Sequence, residues 1–177
     1  NFTYSLKENI QTFSITDASR GNLLATIERE KHSYKIFAQL NKFVINGKLL
    51  ASNMPLNIRD TMITAELNLN TYGQIAHDIY YNMNGTLDMT FDGGYLISMA
   101  FDDFYSSVSD ITVLNAEYAL ANTFGGGETK IKKMRIIGDY NNGNFITTKP
   151  LVLSMRHTDV IGGLAITDGN MTAEFDI

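Results

Sequence analysis

The residues able to do chemistry are few and widely spaced. The three histidines are His32, His77 and His157, and none stands in an HxH, HExxH or HxxxH relation to another, so no local metal motif exists. His77 falls in an alternating set with Ile75, Ile79 and Tyr81. It reads either as a hydrogen-bonded sheet histidine or as a ligand for haem or a divalent metal. His32 and His157 sit beside Lys31 and Arg156 and read as exposed. Oxygen ligands for Ca²⁺ could come from Asp102 and Asp103 with Asp110, or from Asp139, Asn141 and Asn144. The second stretch lacks the glycine and the terminal glutamate of a calcium loop, and both stretches also read as turns. No cofactor is expected.

Other chemistries are excluded outright. The chain has no cysteine, which removes thiol catalysis, disulfides and thiolate metal sites. Gly125-Gly126-Gly127 lacks the Lys-Ser/Thr ending of a phosphate loop, and no Gly-x-Ser-x-Gly elbow occurs. Glu28, Glu30, Glu66, Glu117, Glu128 and Glu174 are scattered, so no carboxylate pair for glycoside hydrolysis stands out. A net charge of −5 argues against a nucleic-acid partner. The one basic cluster, Lys130, Lys132, Lys133 and Arg135, is either an anion patch or the solvated face of a strand whose lysines blunt a sheet edge. Ten Phe and nine Tyr, densest at Tyr80-Tyr81 and at Phe101, Phe104 and Tyr105, read as core or as a sugar- or lipid-binding stripe. No apolar run approaches the roughly 18–20 residues of a membrane-spanning helix.

The elements that must position these residues are strands. Period-two alternation is cleanest at 62–70, 85–91 and 170–177, and it gathers apolar side chains on one face as no helix would. It is blurred at 33–45 and 129–138, where strands are buried on both faces or bulged. Asn46-Gly47, Asn84-Gly85, Asp92-Gly93-Gly94, Asn142-Gly143 and Asp168-Gly169 supply hairpin turn chemistry. Gly162-Gly163 reads as a bulge or bend within a strand. Strands are expected across 74–81 and 94–101 as well. Residues 111–121 read as strand, against a helical alternative that would put Leu114, Glu117, Tyr118 and Ala121 on one face. Short helical turns fit 17–21 or 56–61.

One internal repeat is visible. Residues 47–58 and 143–153 share Gly-x-apolar-apolar-x-Ser/Thr followed by Pro-Leu-x-apolar, and they hold both prolines of the chain. A tandem duplication would divide one β domain, 1–177, into similar halves, 1–82 and 83–177.

From Asn84 onward the chain carries Asn84-Gly85-Thr86-Leu87, Gly94-Tyr95, Phe101-Asp102-Asp103-Phe104, Leu114-Asn115, Gly143 through Leu151, and Gly162 through Gly169. This resembles a pattern in uncharacterised secreted and cell-envelope β-rich proteins of bacteria. Ala116 stands where that pattern commonly has glycine. The resemblance covers about half the chain and implies a β fold and export; it implies no activity and carries over no site residues.

The expectation is an all-β fold. It would be an antiparallel two-sheet sandwich or paired half-barrels, with an up-and-down barrel as the alternative. The expected role is non-enzymatic: an extracellular or cell-envelope domain, bacterial, with a structural, adhesive or assembly function. Asn1 in place of Met fits a processed or excised chain. The N-terminal segment, residues 1–15, has alternating stretches and would add as a strand to another copy of the protein. The alternatives are a carrier of a small hydrophobic ligand or haem and, less favoured, a glycan-active enzyme.

Overall fold

A computed structural model describes residues 2–16, 21–49, 57–97, 99–107, 110, 112, 115–168 and 170–176. The strands are β1 (Phe2–Lys7), β2 (Ile10–Thr16), β3 (Asn22–Glu30), β4 (Ser33–Leu49), β5 (Asn57–Tyr72), β6 (Asn84–Asp92), β7 (Tyr95–Ile97), β8 (Glu128–Asn141), β9 (Asn144–Thr147), β10 (Leu151–Met155), β11 (Asp159–Thr167) and β12 (Asn170–Asp176). Among the described residues three helices interrupt them: α1 (Ala76–Tyr81), α2 (Phe101–Ser107) and α3 (Ala116–Gly125). The all-β, antiparallel class therefore holds. All strands belong to one hydrogen-bonded sheet, in the order β1-β2-β3-β4-β5-β6-β8-β10-β11-β12. β7 joins β5 and β8, and β9 joins β8 and β11. Pairing between β5 and β6 runs unbroken from Met62↔Asp92 to Asn70↔Asn84, so residues before and after the 82/83 boundary share that sheet.

The strand alternation explains the sheet's two faces. Directly opposed residues of an antiparallel pair point to the same side. One row crosses seven strands as Tyr4, Phe13, Ala25, Ala38, Leu67, Leu87 and Gly138. A second runs Phe2, Ile15, Leu23, Leu40, Ala65, Met89 and Ile136. The opposite face carries rows such as Ser5, Thr12, Thr26, Phe37, Asn68, Thr86 and Asp139. So one face is apolar across the sheet and the other is mostly polar.

Among the described residues, burial of the apolar face is concentrated toward the C-terminal strands. The buried core comprises Ile58, Ile63, Phe91, Leu96, Phe101, Ile131, Met134, Ile136, Phe145, Leu151, Leu153, Met155, Val160 and Leu164. Each fully buried Leu, Ile, Phe or Met contributes roughly 1.5–3 kcal/mol. β8 runs through this core and has four neighbours, β6, β7, β9 and β10. Gly138 lies where β8 meets β9; a Cβ there would stand 2.4 Å from the Phe145 ring and from the Ile146 carbonyl oxygen. Thr129, fully buried, donates to the Met99 carbonyl at 2.6 Å and accepts from the Phe101 N–H at 2.8 Å, which pins the start of α2 to β8.

Bulges account for the blurred alternation. Between Leu40↔Ala65 and Phe43↔Ile63, Asn41 and Lys42 of β4 face Thr64 alone, with Lys42 at φ 49°. Between Ile45↔Thr61 and Lys48↔Arg59, Asn46 and Gly47 face Asp60 alone, with Asp60 at φ 53°. Two residues against one is a bulge, and the first sets Phe43 and Ile45 on the apolar face, opposite Ile63 and Thr61. In β8 the exposure pattern slips at Lys132 and Lys133, both exposed, where the partner on one side changes from β6 to β7.

Several sequence expectations are corrected. Asn46-Gly47 is a bulge rather than a turn, because β4 continues to Leu49. Asn84-Gly85 opens β6; Gly85, at φ 155°, approaches so closely that a Cβ would lie 1.9 Å from the Asn68 carbonyl oxygen. The strand expected at 74–81 is instead helix α1. The strand expected at 94–101 ends at Ile97, and α2 begins at Phe101. The strand expected at 111–121 gives way to α3, which turns Ala116, Ala119 and Thr123 inward while Glu117, Tyr118 and Ala121 stay exposed. Those small inward residues offered no period-two signal of their own. Residues 57–60 are strand, so no helical turn occupies them; residues 17–20 lie outside the described residues. Gly162-Gly163 sits where β11 changes neighbour from β10 to β9, with Leu164 N–H donating to Thr147 Oγ1 at 3.0 Å. Asn142-Gly143 forms the two-residue β8–β9 turn as expected, with both φ values positive. The repeat's first copy falls largely outside the described residues; in its second copy β9 and β10 do not pair with each other but share β8 and β11.

Candidate functional site

The sequence-predicted site residues do not converge on one place, although Asp103 and Asp110 line the same cleft. His77 lies on α1, 71% exposed, with Nδ1 3.8 Å from Asp78 and its ring 4.5 Å from that of Tyr81. The alternating set that placed it on a strand face is dissolved by the helix. His32 is exposed in the β3–β4 turn; exposed His157 stacks on Tyr105 at 5.4 Å. Asp102 and Asp103 open α2. Asp103 shares with Asp110, Phe104, Asn115 and Tyr118 an open cleft of about 430 Å³ between α2 and α3. Asp139 is exposed on β8, opposite Thr86 and Ile146, and Asn141 is exposed beside the hairpin turn. Asn144 Oδ1 accepts from the Asp168 N–H at 3.1 Å. Among the described residues no three His, Asp or Glu side chains are grouped to hold a metal ion.

The basic cluster is on an interior strand, so its lysines blunt no edge. Lys130, Lys132, Lys133 and Arg135 are all exposed. Arg135 forms a two-pronged ion pair with Asp88, Nε–Oδ1 at 3.1 Å and Nη2–Oδ2 at 2.7 Å. The guanidinium holds the Asp88 carboxyl below the usual carboxylate range. Beside it, Lys133, Lys149, Ile137 and Val152 line a shallow groove of about 400 Å³. Arg59 was not singled out by sequence. It bonds Glu128 at 2.6 and 3.1 Å and lies 4.5 Å over the Tyr95 ring, tying β5, β7 and β8 together.

The feature that stands apart is the N-terminal end of the sheet. Exposure on the apolar face rises toward β1: Ile136 is 6% exposed, Met89 and Leu40 are half-buried, Ile15 is 36% and Phe2 is 64% exposed. Tyr4 and Leu6 are 50% and 60% exposed. Every residue of β1 is exposed, whichever face it points to. The Tyr4 and Phe13 rings meet at 5.0 Å, so the hairpin packs on itself, yet nothing covers it among the described residues. Leaving such side chains half exposed forgoes about 1 kcal/mol each. A run of this kind marks an interaction surface more often than isolated exposed leucines do.

β1 is also an edge. Among the described residues it pairs only with β2, and β12 pairs only with β11. The direction of its free hydrogen-bonding groups follows from the hairpin. The Asn9 carbonyl accepts from the Arg29 N–H at 2.9 Å, so alternate residues from Asn9 onward bond toward β3. Ile10, Thr12 and Ser14 bond instead to Lys7, Ser5 and Thr3. Phe2, Tyr4 and Leu6 thus turn their N–H and C=O groups outward. Natural edges are blunted by charge, proline or bulges. β1 has none of these before Lys7, whereas β12 carries exposed Glu174 and Asp176.

An edge of this kind is chemically suited to pairing with another strand; among the described residues the histidines, carboxylates and cations named above do not gather at one place. Compared with protein-family models, curated proteins and solved structures, the chain has no significant match. No helix of the described residues is long and apolar enough to cross a membrane.

Proposed function

We propose that this chain is a non-enzymatic extracellular or cell-envelope β domain with a structural or assembly role, joined to neighbouring subunits by strand addition through its N-terminal segment. One observation carries the reading: β1 combines an edge that is unpaired among the described residues with an exposed apolar face continuous with the core. Main-chain hydrogen bonds along such an edge supply affinity, and the alternate side chains supply specificity. The export part rests on the cysteine-free, acidic composition and on the resemblance to secreted and envelope proteins. Deleting residues 1–15 removes β1 and nearly all of β2, and should reduce the mass measured by light scattering to that of a monomer. An oligomer of unchanged size after the deletion would sink the reading.

A further inference from the structure

We infer that the neighbour added at β1 is a second copy of this chain, paired antiparallel through its own β1 about a two-fold axis at Tyr4. The inference rests on the strand-addition reading above and specifies its partner and register. Its ground is the chemistry of the strand. Phe2-Thr3-Tyr4-Ser5-Leu6 is a palindrome in type: apolar, hydroxyl, tyrosine, hydroxyl, apolar. Antiparallel pairing of a strand with its symmetry mate reads the sequence against its own reverse. With Tyr4 opposite Tyr4 of the second copy, Phe2 falls opposite Leu6 and Thr3 opposite Ser5. Aromatic pairs, apolar pairs and Thr–Ser pairs are the favourable cross-strand combinations. Lys7 falls outside the paired run, so no like charges meet.

The backbone fits the same register. Phe2, Tyr4 and Leu6 present their N–H and C=O groups outward, and in this register they face one another as hydrogen-bonded pairs. About six backbone hydrogen bonds would form, two for each outward-facing pair. The parity of the register keeps the apolar side chains of both copies on one face, so the two sheets become one. Pairing β1 with the β12 edge of another copy is disfavoured by the exposed Glu174 and Asp176, which guard that edge.

The absence of native cysteine makes cross-linking a clean test. In a hydrogen-bonded antiparallel pair the Cα atoms stand about 5.5 Å apart, within reach of a disulfide. The variant Tyr4→Cys should therefore form a covalent dimer under mild oxidation. Phe2→Cys alone should not, because the two copies of that residue lie about 13 Å apart along the strands. An equimolar mixture of Phe2→Cys and Leu6→Cys should cross-link as a heterodimer. Tyr4→Pro removes one outward N–H without touching the β1–β2 ladder, and should weaken association at least tenfold in sedimentation. If the 177-residue protein associates but Tyr4→Cys does not cross-link, the register is wrong and the strand-addition reading survives. If the protein sediments as a monomer at every concentration, both fall.

Discussion

Replacing one leucine at each end of the apolar face should have very different effects. Leu96 on β7 is fully buried between Ile58 and Thr129. Removing a fully buried leucine costs about 3–5 kcal/mol, because a cavity remains where the side chain was. Leu6 on β1 is 60% exposed, so about two-fifths of that burial is at stake and no closed cavity forms. Scaling the transfer contribution by buried area puts Leu6→Ala at about 1 kcal/mol or less. For a chain of this size each kcal/mol moves the melting temperature by about 2–4 °C. Leu96→Ala should then lower it by roughly 10 °C and Leu6→Ala by about 3 °C. Urea unfolding at sub-micromolar protein, followed by tyrosine fluorescence and far-UV circular dichroism, separates the two. Dilution matters, since association would add to the apparent stability at β1. Equal costs for the two substitutions in dilute protein would mean that Leu6 is covered within a single chain, against its 60% exposure.

Other substitutions probe the described contacts. Gly138→Ala should destabilise by about 1–3 kcal/mol in denaturant unfolding, since its Cβ would overlap the Phe145 ring. Thr61 is buried and its Oγ1 has no hydrogen-bond partner among the described residues, so Thr61→Val should raise the urea midpoint by the equivalent of about 1 kcal/mol. The Asp88 carboxyl is held below its unfolded value by Arg135, so its contribution is present above the ordinary carboxylate pKa and is lost as pH falls through and below about pH 4. Asp88→Asn should flatten that part of an acid-unfolding curve, by less than about 1 kcal/mol because the pair is largely exposed.

The fold class was legible because period-two patterning depends only on which residues are apolar. Rows such as Met62 to Asn70 on β5 and Asn84 to Asp92 on β6 keep strict alternation, and the register pairs them as that alternation requires. What escaped were places where tertiary contact overrides local signal. Ile75, His77, Ile79 and Tyr81 alternate as a strand would, but Ala76–Tyr81 coils into a helix, with Thr71 Oγ1 donating to the Ile79 carbonyl at 2.5 Å. Asn46-Gly47 has turn chemistry but is absorbed as a bulge, because a seventeen-residue strand must bend to stay paired with β5. The basic residues of β8 read as an anion patch or as edge protection; sequence cannot show that β6, β7 and β10 flank them. The N-terminal segment was marked by its alternation. Its significance required knowing that β1 is an edge and that the buried core on the face it extends begins only at β5 among the described residues. The type palindrome around Tyr4 was present in the sequence all along, and only the edge gives it meaning.

Amide hydrogen exchange across a dilution series would show, residue by residue, whether the outward edge of β1 joins one copy to another. In dilute protein, Thr3, Ser5 and Lys7 amides should be slowed by pairing with β2, while Tyr4 and Leu6 amides exchange freely. At high concentration Tyr4 and Leu6 should gain protection together. Tyr4 and Leu6 amides that exchange freely at every concentration, or that are already protected at the greatest dilution, would contradict joining at that edge.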